Sequence, residues 1–473
     1  MYAGVLSEME SQQNQSATEP GDAAQQTRTQ WSAVITLAAS TLIIASEMTM
    51  SAFALPLIAA EMGVSVEQTA WVLLAYSLPL AALAIPAGRW IDRSNIRHVF
   101  LGSLVLVGLT SILAALAPGF RSLLAARVLL GLASAAYLAV YFPTVRTAVH
   151  PSMRGRAMSY IAMIMMIGSI AMAPLGGLVA SLAGWRMVFV VKLPFLLVAL
   201  WLAWRTIPAT GAATIARLDR GMLYETLLIG AIITALLFGM ERLNTQLPLA
   251  FVFLAGAVVL AIVWSRGTSA APVIALLRRS QFGFPVLALT LISTSTGLVS
   301  FSLPFFIVEV MERSPAMLSS AVLAFVMAAS VISPAGGWLA DRYGNMPVAS
   351  LGAVLMLGAL ISLAQISATS TLIDLCLLMA WAGLGMALFN APNMAAMLKA
   401  APEGQAGTAG GISNVARTLG NTIGPAVTAM MWAVGGGGTG GFRASVLALS
   451  VLCATGTVGL LIAWARSRQQ GTE

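Results

Sequence analysis

Charged side chains are scarce in this chain. Asp, Glu, Lys and Arg make up 9% of its 473 residues, where a soluble domain carries about 25%. That shortage excludes an ordinary soluble fold. Cysteine is nearly missing. Cys376 and Cys453 each lie inside an apolar run, so a disulfide framework is not indicated. The two histidines, His98 and His150, sit in loops, and no apolar run gathers His, Cys and carboxylates into a ligand set. A resident metal and a membrane-embedded enzyme are therefore disfavoured. A Gly-x-x-x-x-Gly-Lys-Ser/Thr loop is missing, which argues against ATP-driven work. The formal net charge is +8, but the basic residues are spread over short loops, so nucleic acid is not an expected partner.

What the chain does have is apolar length. Hydrophobic residues make up 59% of it. Fourteen runs, from 33–59 through 442–465, approach or exceed the roughly 20 residues that a helix needs to cross a bilayer core. A spanning segment must satisfy its own backbone, so each reads as a helix. Loops rich in Arg alternate with loops holding one basic residue. Arg89, Arg93 and Arg97 mark the first rich loop, and Arg146, Arg154 and Arg156 the second. The rich set is placed in the cytoplasm. An even number of spans then puts both termini inside. The polar segment 1–30 reads as a disordered tail with no signal-peptide core.

An internal repeat is visible. Phe53-Ala54-Leu55-Pro56 matches Phe301-Ser302-Leu303-Pro304 at an offset of 248. Gly88 through Asp92-Arg93 matches Gly337 through Asp341-Arg342 at an offset of 249. Two six-helix halves follow, at 31–206 and 281–466. Two extra spans lie in 207–280, and 467–473 forms a short tail. A site at the interface of two repeats is a common transporter design.

Within the first run, Thr36, Ser40, Glu47 and Ser51 fall within about 40° of one line on the helix. A carboxyl near the bilayer centre costs roughly 2.5–3.5 kcal/mol to insert. Glu47 is therefore read as a protonation and cation site facing a central cavity, against the alternative of a structural carboxyl tied to a neighbouring helix. Arg127, in the fourth run, is read as an electrostatic modulator of Glu47, with snorkelling to the interface as the alternative. Lys192 is expected to snorkel. Further cavity residues are expected at Tyr76, Tyr141, Thr294, Phe301, Asn390 and Asn393, the amides because they need partners in hydrocarbon. Ser295 is the uncharged repeat mate of Glu47. Most methionines are assigned to lipid-facing packing.

These residues resemble those of the fourteen-span drug–proton antiporters of the major facilitator superfamily. Ser46-Glu47-Met48-Thr49 through Pro56 is similar to that family's first-span motif, with Glu where Asp is usual. Gly88–Arg97 and Gly337–Gly344 resemble the superfamily's loop signature; Asn95 stands in place of Gly and is expected to take a left-handed turn. Leu218-Asp219-Arg220-Gly221 resembles the entry to the extra spans, and Arg417-Thr418-Leu419-Gly420 the penultimate span. The resemblance implies an all-α polytopic membrane protein of major facilitator fold, with two six-helix bundles and two extra central helices. It implies a conformational latch from Gly88, Asp92, Arg93, Gly337, Asp341 and Arg342. Helix bending or close packing is implied at Gly168, Pro174, Gly177, Gly420, Gly424 and Pro425.

The implied function is proton-coupled export of lipophilic or cationic small molecules by alternating access, in the cytoplasmic (inner) membrane. The chain would work as a monomer, with the proton gradient as energy source and no cofactor or metal. Monocations are favoured over dications, because span 1 holds the one deep acid. A dedicated metabolite or antibiotic exporter and a proton-coupled importer are the alternatives.

Overall fold

The computed structural model describes residues 29–209, 214–217, 219–242 and 246–470. Among them the chain is helical throughout, with no strand. The first four helices are α1 (Trp31–Met62), α2 (Val66–Ile91), α3 (Ile96–Ala115) and α4 (Phe120–Ala139). Then come α5 (Arg154–Ala183), α6 (Leu193–Thr206), α7 (Arg220–Arg242) and α8 (Leu247–Arg266). The second half holds α9 (Ser280–Ser293), α10 (Pro315–Tyr343), α11 (Asn345–Leu363), α12 (Leu372–Ala400), α13 (Ala406–Val434) and α14 (Gly438–Gln470).

Local sequence sets the ends. Gly63 closes α1 at φ +65°, where a side chain would be strained. Ser65 and Gln68 form a capping box on α2, as Thr371 and Asp374 do on α12. Asn95 does not take the left-handed turn. It sits at φ −71° and caps α3 through the His98 amide. Its counterpart Gly344 does adopt φ +96°. The chain breaks at Val140 and resumes as Tyr141–Ala148. A second break, at Val191–Lys192 just before Pro194, separates Trp185–Val190 from α6. Beyond α9, the hydroxyl-rich stretch passes through a turn into π-helical segments at Leu298–Ser302 and Phe306–Val310.

The outward surface is apolar, with Leu182, Phe195, Leu197, Leu227, Val252 and Val331 well exposed. An apolar surface this wide faces lipid. Twelve helices among the described residues are long and apolar enough to cross a membrane. α5 and α13 occupy two of the expected fourteen positions as long helices but are not among those twelve. α5 packs on α1 and α10, and α13 on α2.

The inserted helices lean on the first half. α7 packs on α2, and α8 on α7. The anchor is Glu225, which is buried, ion-paired with Arg89 and bonded by Trp264 Nε1 at 3.0 Å. The linker docks beside it, with Trp90 Nε1 on the Ala216 carbonyl at 2.8 Å. The expected entry motif there loses Leu218, which lies outside the described residues; so do 1–28 of the expected tail and 471–473.

The two halves meet at the arginine-rich end. Asp92 accepts from the Gly407 amide at 2.7 Å, the Thr408 amide at 2.9 Å and the Thr408 hydroxyl at 2.6 Å. It therefore caps the start of α13 from the opposite half. Asp341 repeats this on α5, accepting from the amides of Gly155 at 2.9 Å and Arg156 at 3.1 Å. Each loop carboxylate thus caps the fifth helix of the other half. The motif glycines explain why these ends touch. A Cβ on Gly88 would lie 2.2 Å from the Gly407 carbonyl oxygen, and one on Gly337 2.7 Å from that of Gly155. Arg146 adds bonds to the Ala401 and Pro402 carbonyls, and Ser333 one to that of Ser159. Among the described residues, no bond from Arg93 or Arg342 crosses this junction. Both are exposed, and Arg342 stacks on Trp338 and Tyr343.

Candidate functional site

The structure places Glu47 inside the first bundle. It is 3% exposed and is held by two cations. Arg127 Nη1 donates to its Oε2 at 3.1 Å, and Lys192 pairs with its Oε1. Arg127 is fully buried; its Nε donates to the Val72 carbonyl at 2.9 Å, and its guanidinium lies over the Tyr76 and Phe189 rings. Lys192 is 5% exposed and does not snorkel. The break before α6 turns it inward, where sequence depth alone placed it near the surface. With all three groups ionised, the cluster carries one excess positive charge in a region that water does not reach. It ties α1, α4 and the α6 break together.

The polar stripe on α1 therefore faces its own bundle. Thr36 bonds Thr206 of α6 at 3.0 Å, and Ser40 returns its hydroxyl to the Thr36 carbonyl. Ser51 is buried and also away from the cavity. The cavity face of α1 is instead carried by Thr41 and Thr49, roughly 150° around the helix from the stripe.

The central cavity lies between the halves and has a volume of about 830 Å³. A second space of about 370 Å³ adjoins it and shares Met166, Asn390 and Arg417 among its walls. Both sizes fall within the range of small-molecule sites. Tyr141 and Asn390 line the main cavity. Met158, Met165, Met166 and Met394 line it too, so these methionines face the cavity and not lipid. Tyr76 is buried beneath Arg127, and Asn393 bonds the Pro285 carbonyl at 3.1 Å. Thr294 is buried, while its neighbours Ser293, Ser295, Thr296 and Ser300 line the second space. Phe301 packs against Phe305 and Trp432.

Sequence reasoning did not single out Arg417 as a cavity residue. Among the described residues it is the one charged side chain lining either space. Its Nη2 reaches Asn390 Oδ1 at 3.3 Å and the Met394 sulfur at 3.0 Å. The signal available was an arginine twelve positions into a helix of Ala, Gly and Thr (α13 starts at Ala406).

The packing glycines do bring backbones close. A Cβ on Gly420 would lie 2.2 Å from the Thr290 carbonyl oxygen, and one on Gly424 equally near that of Thr294. Pro425 lies inside α13. Gly168 sits against Leu42 of α1, and Gly177 lies within α5. The side chain of Pro174 lies outside the described residues.

Two helical bundles related by an internal repeat, joined at one end around a cavity of small-molecule size, define a membrane carrier. The Major Facilitator Superfamily model matches residues 37–425 and 286–473, and the chain belongs to that superfamily, whose members transport small molecules across membranes and are not enzymes. The uncharacterized transporter YebQ of Escherichia coli K12 is 28% identical over 446 residues, covering 93% of this chain and 97% of that protein. The multidrug resistance protein Stp of Mycobacterium tuberculosis H37Rv is 28% identical over 384 residues, covering 79% and 70%. A bacterial homologue of the iron transporter ferroportin, solved in an outward-facing state, superposes with a TM-score of 0.67 at 14% identity, covering 93% of this chain and all of that one.

Proposed function

We propose that this chain is a proton-coupled exporter of lipophilic small molecules, working by alternating access as a monomer in the cytoplasmic membrane. In this reading all fourteen long helices cross the membrane, with both termini and the arginine-rich loops in the cytoplasm. The observation that carries it is the buried Glu47–Arg127–Lys192 cluster, set in the half whose helices wall the cavity. A proton on Glu47 removes the counter-charge of two cations at once, so protonation cannot be silent. It loosens the contacts among α1, α4 and the α6 break. The cytoplasmic ends are latched, which makes this the outward-open form. In it the cavity receives protons from outside and releases substrate there. The relative named for multidrug resistance supports a drug-like class of substrate.

The geometry moves one part of the reading. Glu47 is neutralised twice over and does not line the cavity, so it does not attract cations from there. Lipophilicity, supplied by the methionine-rich wall, is the recognised property. The test is dye uptake by inverted vesicles bearing the chain. Acidifying the lumen should drive accumulation of a lipophilic dye, and a protonophore should abolish it. Accumulation that ignores the protonophore would rule out proton coupling, and accumulation only when the gradient is reversed would indicate an importer.

A further inference from the structure

We infer that the cavity selects lipophilic organic acids, with Arg417 as the group that receives the acidic end. The inference rests on the carrier reading above and names the substrate class of that same cavity. Arg417 is aimed into both spaces from α13. Its neighbours at hydrogen-bond distance, Asn390 and Met394, are neutral. Among the described residues no carboxylate pairs with it, whereas Arg89, Arg127, Arg156 and Arg186 each have an acidic partner. No aspartate or glutamate appears among the residues lining either space.

A guanidinium stays charged at any physiological pH. The other described residues of the wall carry no charge, so it lacks a counter-ion. A carboxylate or sulfonate meets its planar fork with two parallel bonds. Asn390 and Asn414 stand beside it as further amide donors. Tyr141 and the methionines around Met165 then accommodate the apolar body. The excess positive charge buried at Glu47–Arg127–Lys192 has the same sign and disfavours a cation in the cavity.

This changes the energetics of exchange. A monocation traded for a proton would be electroneutral. An anion leaving while a proton enters moves net charge, so the membrane potential drives it along with the pH gradient.

Binding tests the inference apart from transport. The purified chain in lipid nanodiscs is titrated with 9-anthroic acid, its methyl ester and 9-aminomethylanthracene at neutral pH. Empty nanodiscs serve as the partition control. The acid should bind at least about tenfold tighter than the ester, as one charge-assisted contact provides. That preference should vanish in Arg417→Gln and largely survive in Arg417→Lys. Equal binding of acid and ester to the wild type, tightest binding of the amine, or an acid preference that persists in Arg417→Gln would overturn it. The wild-type comparison stands even if a variant fails to fold. An intact acid preference in a chain that shows no gradient-driven transport would overturn the exporter reading and leave the acid site supported.

Discussion

Replacing Glu47 by Leu should destabilise the protein by about 3–5 kcal/mol, while replacing Lys192 by Met should cost far less. The asymmetry follows from the charge count. Glu47 is the one carboxylate against Arg127 and Lys192, all at 5% exposure or below. Removing it leaves two buried cations with no counter-ion. Removing Lys192 instead leaves a neutral Arg127–Glu47 pair, with Arg127 still bonded to the Val72 carbonyl and covered by Tyr76 and Phe189. The double variant Glu47→Leu/Lys192→Met should therefore be more stable than Glu47→Leu alone, because one of the two stranded charges is gone. Thermal unfolding midpoints in detergent give the order: wild type near Lys192→Met, then the double variant, then Glu47→Leu. A Lys192→Met variant as unstable as Glu47→Leu would show that the lysine does not share the carboxylate.

The second large effect concerns the closed end. Asp92→Asn with Asp341→Asn should shift the carrier away from the form seen here. Each carboxylate caps a helix of the opposite half with charge-assisted bonds. A hydrogen bond to a charged group contributes about 1.5–3 kcal/mol, so each latch is worth roughly ten- to a hundredfold in population. Spin labels at His98 and Glu403, both exposed near the joined ends, would report it. The short distance should dominate in the wild type and give way to a longer one in the double variant. An unchanged distribution would remove the latch from the account.

Much of this was legible in the sequence. The repeat offsets located both latch carboxylates, because a short loop motif survives in each half. Their acceptor sites were not legible, since the amides of Gly407–Thr408 and Gly155–Arg156 carry no side-chain signature. Glu47 and Arg127 were recognisable as rare intramembrane charges. Their direction was not. A polar stripe on a span says that a face avoids lipid, and the interior of a bundle avoids lipid as well as a cavity does. Lys192 was misplaced because depth counted along a straight helix ignores the break before Pro194. Arg417 stood in a motif that identified the family and said nothing of where the helix points.

The central claim is that Glu47 couples substrate movement to protons without lining the cavity. Proteoliposomes bearing Glu47→Gln/Lys192→Met, which keeps the cluster's net charge, test it most directly. Two transport modes of one lipophilic dye are compared, exchange at equal pH and accumulation driven by a pH gradient. The account predicts that exchange persists while gradient-driven accumulation is lost. Accumulation at the wild-type rate in that variant would contradict it.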